Sequence, residues 1–425
     1  MSSVARLQPP GRAPTSSRSV VSRLVNHSHG RNCWRNCWSE RASTRALWLI
    51  CAFAFGLRLL IAYHSVGTND INTWKTFATL GLQGVTRVYA LHPLFNHPPL
   101  MGWYSVGVLM ISRELNAEFS FVFKIVPILA DIATVVLVQR IARLSPLWLL
   151  LYAINPANVL VSAYHGNTDC MCALFCLASV YFANRERPEL SGLSLGAALN
   201  VKLIPVALIV PLALSFTGRR ILRFGLALGL CALPFVPVVL NAWEAFRHNA
   251  LQYNSSAAPW GLGLFATALD GRVWAWRQPF IDTVSELGKP LILGGSVLLG
   301  VVQQWLRPFT RAQLAGLMFS WFLLISPGFG AQYLVYPAAF LVLSQGTRLG
   351  FRFLYLGGLF AFLIYYSYWT GTFPLYSDFA YHSYDLRTML VGFITWLTLA
   401  DWLMFTLRRA ACRLRQRGRP QLLLL

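Results

Sequence analysis

The sequence predicts an all-α polytopic membrane protein, and three observations predict it. Of the 425 residues 56% are hydrophobic, with a mean hydropathy of +0.51. Only 12% are charged, against about a quarter in soluble domains. The apolar residues form continuous runs, such as Leu193 to Phe216 and Leu354 to Tyr368, long enough or nearly so to cross a hydrocarbon core. A β-barrel would alternate instead. The net charge of +21 does not point to nucleic acid. The arginines sit beside apolar runs, as cytoplasmic loops do under the positive-inside rule.

The elements follow in order from that rule. Residues 1–45 are polar and arginine-rich, with no acid before Glu40. They are expected to form a disordered basic cytoplasmic tail that touches anionic lipid. Ala46 to Val66 starts too late and runs too long for a signal peptide and crosses outward. Residues 67–98 form an outer loop, and Pro99 to Ser112, opened by a second proline, lies at the surface or dips in. Phe121 to Ile141 returns and puts Arg140 and Arg143 inside. Leu147 to Tyr164 goes out; Cys170 to Ala183 comes back to Arg185 and Arg187.

Leu193 to Phe216 decides the rest. One crossing would leave Arg219, Arg220 and Arg223 outside; a hairpin bent near Lys202 and Pro205 keeps them inside. Leu222 to Leu240 then goes out, 241–286 is an outer loop, and Leu291 to Trp305 returns to Arg307 and Arg311. Arg348 and Arg352 fall inside, Gly371 to Asp385 outside and the tail 408–425 inside. The expectation is about twelve crossings, divided into a catalytic membrane module at 46–240, with its catalytic loop at 67–120, and a variable set of helices at 241–407. No internal repeat of the kind that builds many secondary transporters is visible.

This placement gathers a set of polar side chains on the outer side. Gly67-Thr68-Asn69-Asp70-Ile71-Asn72-Thr73-Trp74 presents a carboxylate just past the first crossing. Asp70 reads as a general base for an acceptor hydroxyl; Asn69 or Asp70 also reads as the N-cap of a helix whose apolar face is Trp74, Phe77 and Leu80. Asn96-His97-Pro98-Pro99 is a stiffened loop that offers His97 to sugar hydroxyls or phosphate. In His165-Gly166-Asn167-Thr168-Asp169 a tight reversal explains Gly166 and Asn167 but not both His165 and Asp169. Ionisable groups at such depth are functional candidates.

Lys202 either snorkels or holds an anion, for which phosphate is natural. Gln332 and Tyr333 follow the Gly-rich turn Ser326 to Gly330, where backbone can approach a ligand closely. Asp131 reads as a packing or pairing group within its span, and Arg58 as a snorkelling or pairing cation. The aromatic segment Phe373 to His382 reads as an interfacial belt, and Asn254-Ser255-Ser256 as a glycosylation sequon. Five of the eight cysteines lie in apolar runs, and the Cys33/Cys37 spacing makes no zinc site.

Taken together, these motifs resemble the GT-C superfamily of polyprenyl-phosphate-sugar-dependent glycosyltransferases, most of all the bacterial multi-spanning mannosyl- or glucosyltransferase-like proteins and more distantly the ER glucosyltransferases of lipid-linked oligosaccharide assembly. The resemblance is carried by Gly67 to Trp74, His97-Pro98-Pro99-Leu100, His165 to Asp169, Asn200-Val201-Lys202 and Gly328 to Tyr333. It implies a sugar on polyprenyl or dolichyl phosphate as donor, a hydroxyl acceptor and a multi-pass location, the bacterial plasma membrane before the ER. By it Asp70 is the catalytic base, and Asn69, His97, His165, Asn167, Asp169, Lys202, Gln332 and Tyr333 bind substrate. Asn69-Asp70 stands where many relatives carry two acids, which counts against a metal-dependent mechanism and leaves metal dependence open; no other cofactor is expected. The competing readings are a transporter or flippase of a lipid or anionic solute, whose site would lie at mid-membrane, and a non-enzymatic scaffold.

Overall fold

The computed structural model describes residues 26–253, 261–262, 274–344, 347–366 and 386–417. The segment Phe373 to His382 and the sequon at Asn254 lie outside the described residues. By its contacts the chain divides into 1–49 and 50–425, and all packing below lies within the second unit.

Every regular element among the described residues is helical: α1 (Asn26–Tyr63), α2 (Asn69–Gly81), α3 (Val85–Leu91), α4 (Pro99–Glu114), α5 (Phe119–Ala142), α6 (Pro146–Ala153), α7 (Pro156–Val159) continued by a π-helical turn (Leu160–His165), α8 (Asp169–Asn184), α9 (Pro188–Val201), a 3-10 turn (Ile204–Leu208) leading into α10 (Ile209–Ala213), α11 (Arg219–Leu230), α12 (Val236–Asn241), α13 (Trp243–Phe246), α14 (Trp274–Leu306), α15 (Arg311–Ile325), α16 (Val335–Leu343), α17 (Thr347–Tyr366) and α18 (Leu386–Arg417). Six described helices are long and apolar enough to cross a membrane. The bent pair Pro146–Ala153 and Pro156–His165 passes the same test as one unit. Asp169–Asn184 and Arg311–Ile325 are among the shorter apolar helices. This is a polytopic all-α membrane protein.

Local chemistry sets the boundaries. Proline opens α4, α6, α7 and α9, where its missing N–H costs nothing. Thr310 and Gln313 close a capping box at the start of α15. α9 ends at Lys202, whose backbone is extended (φ −153°, ψ 150°).

The break at Lys202 is a true reversal. Gly192 lies against Phe224 and Ala227, Gly196 against Leu228 and Cys231. A Cβ on Gly192 would stand 2.4 Å from the Phe224 carbonyl oxygen, so the small-xxx-small spacing lets the backbones touch. Because the contacts advance in the same sense along both helices, α9 and α11 run parallel. The segment between them must therefore return, which is the expected hairpin. Arg219, Arg220 and Arg223 thus join Arg185 and Arg187 at one end. There Glu186 accepts from Arg220 at 2.6 Å and from Arg311 at 2.9 Å, and Glu189 pairs with Arg223. α8, 16 residues long and so about 24 Å, carries Asp169 at the opposite end.

At that opposite end the loop helices α2, α3 and α4 form a small cap. Its core is aromatic: Trp74, Phe77, Tyr89 and Phe95 are buried and meet edge-on or tilted at 4.7–5.6 Å. α4 packs on α2 and α3 through glycine, with Gly102 against Val85 and Gly81 against Val106. These helices fall in the segment in which re-entrant or surface helices are expected.

Candidate active site

Asp70 stands in the first turn of α2, where the positive end of the helix favours a carboxylate. Thr68 is the N-cap and its Oγ1 accepts the Asp70 N–H at 3.4 Å. The carboxylate is 48% exposed, and its Oδ2 lies 3.1 Å from His165 Nε2 and accepts from Asn167 Nδ2 at 3.2 Å. Burial alone would raise the Asp70 pKa. When His165 is protonated, its charge and hydrogen bond, followed by the charges of Lys202 and His97, outweigh it and hold the carboxyl at about 2.

His165 closes the π-helical turn, and Gly166 beyond it takes the left-handed region (φ 68°), the conformation glycine allows at least cost. A Cβ there would strike Ile71 at 2.6 Å. A Cβ on Gly67 (φ 105°) would stand 2.9 Å from the Tyr164 carbonyl oxygen. These two glycines let the Asp70 loop and the His165 turn touch. His165 is buried, hydrogen-bonded through Nδ1 to Thr68 Oγ1 at 2.9 Å, with its ring 5.0 Å from that of Tyr365.

A second cluster adjoins. Asp169, fully buried at the start of α8, accepts from Lys202 Nζ at 2.7 and 2.9 Å and from Tyr336 Oη at 2.5 Å. Lys202 lies 4.5 Å from the centre of the Tyr333 ring. Asp169 is thus the counter-charge of its ammonium. Lys202, 13% exposed, Tyr333, Asn96 and His97 line a cavity of about 680 Å³ whose other walls are mainly apolar, from α9, α11, α14 and α15. His97 Nδ1 is buried with no hydrogen-bond partner, and its ring lies 4.4 Å from Trp74. Burial, then Lys202, lowers the His97 pKa to about 3 against the opposing pull of Asp70, so the imidazole is neutral.

The structure therefore brings together Asp70, His97, His165, Asn167, Asp169, Lys202 and Tyr333. It does not bring in Asn69, which is exposed, or give Gln332 a part in these bonds; that side chain lies back over Gly330. His165, Asn167 and Asp169 are buried and bond to Asp70 and Lys202. Three participants went unassigned in the sequence: Thr68, Tyr336 and Tyr365. Tyr336 follows Tyr333 by three positions, the spacing of side chains that share a helix face. Nothing local marks Tyr365. Among the described residues no group of His, Cys, Asp and Glu has the arrangement of a metal site.

Asp131 is paired, as its position suggested. Arg58 donates to its Oδ2 from Nε at 2.9 Å and Nη2 at 2.7 Å. Asn158 and Ser162 donate to the same carboxylate at 3.0 and 3.2 Å.

Residues 117–364 match the family model of glycosyltransferase family 87. The match covers more than half of the chain, and the chain belongs to that family. It is a membrane glycosyltransferase, in keeping with the GT-C resemblance of its motifs, and takes a sugar donor and an acceptor.

Proposed function

From this membership we propose that the protein moves a hexose, mannose or glucose, from a polyprenyl- or dolichyl-phosphate donor to an acceptor hydroxyl, with inversion, at the extracytoplasmic face of a membrane. The bacterial plasma membrane is the proposed location. One observation carries the donor: a single cavity joins apolar helix walls to Lys202 and His97, as a donor with a hydrocarbon tail and an anionic link requires. Sidedness is supported by the separation of this cluster from the arginine end of α8 and α11.

The residues fit one displacement. Asp70 takes the proton of the acceptor hydroxyl, whose oxygen attacks the anomeric carbon while the lipid phosphate leaves from the opposite face. A carboxylate with a pKa near 2 is ionised throughout the neutral range. It serves as a base because the hydroxyl becomes acidic as its oxygen bonds to carbon. Lys202 meets the charge that develops on phosphate, held in place by Asp169 and Tyr336. His97 Nδ1 offers a hydrogen bond to sugar or phosphate.

The test is transfer by the purified chain in lipid bilayers, with labelled dolichyl-phosphate mannose and a membrane lipid and glycan extract as acceptor. Release of dolichyl phosphate with mannose on an acceptor is expected, together with a loss of about 10²–10⁴-fold in Asp70→Asn. Undiminished transfer by Asp70→Asn, or label crossing the bilayer with no dolichyl phosphate released, overturns the reading.

A further inference from the structure

Given that reading, the bonds around His165 say where the acceptor's proton goes. The amide orientation of Asn167 is fixed, because its Oδ1 accepts the backbone N–H of Asp169 at 3.3 Å. Its NH2 group therefore faces the site, 3.2 Å from Asp70 Oδ2 and 2.9 Å from His165 Nε2. An amide NH2 only donates, so Nε2 presents its lone pair and the ring proton sits on Nδ1. Thr68 Oγ1, 2.9 Å away, accepts that proton. Two acceptors, Asp70 Oδ2 and His165 Nε2, then face each other at 3.1 Å with no proton on the line between them. One added proton takes the Nε2 lone pair from the Asn167 N–H, which keeps its bond to Asp70, and turns that contact into a hydrogen bond of ordinary length.

We infer that Asp70 and His165 act as one proton-accepting pair, with Nε2 the proton's final seat, and that Asn167 and Thr68 are positioning residues that set the tautomer. His165 is thereby assigned to the proton and not to the sugar, consistent with a ring that is buried and flanked by Tyr365.

The step balances. The acceptor oxygen bonds to the anomeric carbon. The bond from that carbon to the phosphate oxygen breaks, and its electron pair leaves with the phosphate. The acceptor's O–H pair stays on its oxygen, and the proton passes to Asp70 Oδ2 and on to His165 Nε2. A carboxylate beside an imidazolium results. Imidazole is ordinarily a stronger base than a carboxylate, and the two atoms are close enough for the proton to pass between them. Before the next turnover the proton goes back to Asp70, whose half-exposed face passes it to water.

The tautomer is measurable without any substrate. The full chain, labelled with 15N-histidine and placed in phospholipid bilayers, is read by solid-state NMR at neutral pH, with the His165 signal assigned by its loss in His165→Gln. The expected result is a protonated Nδ1 and a bare Nε2 in the native chain. Thr68→Val is expected to move the proton to Nε2 and to slow transfer from dolichyl-phosphate mannose at least about 10-fold, the low side of general-base effects. Thr68→Ser is expected to restore both. A native His165 with its proton on Nε2 overturns the inference, even if Thr68→Val fails to fold, and leaves the transferase reading standing. So does a Thr68→Val chain that changes tautomer and transfers at the native rate. Failure of the transferase reading is separate: the native chain would release no dolichyl phosphate whatever its tautomer.

Discussion

Two acidic networks meet on one π-helical turn, and they differ in how fully each carboxylate is satisfied. Ser162 on that turn serves Asp131; His165, three positions further along it, serves Asp70. Asp131 is 1% exposed and receives four donor atoms from Arg58, Asn158 and Ser162. Arg58, fully buried, spends its remaining donors on the carbonyls of Ala54 and Ala153. Asp70 is half exposed, and its contacts of 3.1 and 3.2 Å are loose for a charged group. A carboxylate whose lone pairs are all taken can only hold helices together. One with an open face can still accept a proton. Asp169 combines the two conditions: it is as buried as Asp131, but its partner Lys202 faces the cavity.

Substitutions at the two acids sharpen the contrast. The largest effect expected is on rate at Asp70. Asp70→Asn should lose about 10²–10⁴-fold in transfer with almost no change in thermal unfolding, since an exposed pair is worth about 0–1 kcal/mol. Its depressed pKa makes that small contribution present above about pH 4 and lost as the pH falls toward 2.

Asp131→Ala should do the reverse. It leaves the Arg58 guanidinium buried without its counter-charge and should cost about 3–5 kcal/mol, read as a lower unfolding temperature in detergent. A stable but inactive Asp131→Ala chain would break the comparison.

Tyr336→Phe removes one hydrogen bond to a buried carboxylate and should cost about 1.5–3 kcal/mol. Because Asp169 then holds Lys202 less firmly, KM for the lipid donor should rise more than kcat falls. Equal loss of both without a change in stability would place Tyr336 among the reacting groups.

The last effect is a pH slope from His97. Its imidazole has a pKa near 3 in the folded chain and about 6.5 when unfolded. The unfolded state therefore binds the proton first as the pH falls. Stability should be full above about pH 6.5 and decline below it toward pH 3. His97→Gln should flatten that decline in unfolding temperature; an unchanged slope would assign it to other groups.

Much of the site was legible because its residues are conspicuous where they stand. Asp70, His165 and Lys202 are ionisable groups beside apolar runs, so each draws attention by itself. The arginines placed them at one end, and the parallel course of α9 and α11 bears out the reversal at Lys202 on which that placement depended. Asn69 was read from its neighbour, but at the start of α2 its side chain turns outward. Tyr336 and Tyr365 were not legible, since a tyrosine in an aromatic-rich membrane chain is ordinary until its partner is known.

Composition and the position of charge fixed the membrane class, the helices and the end at which the polar groups collect. Transfer between water and lipid is a property of each segment alone, so the order of residues is enough to read it. Only the folded chain decided which acid meets which base. Asp131 is 73 positions from Arg58, Asp70 is 95 from His165, and Tyr336 is 167 from Asp169. Pairing depends on distances of a few ångströms between segments that many turns of helix separate, and no local pattern encodes those distances.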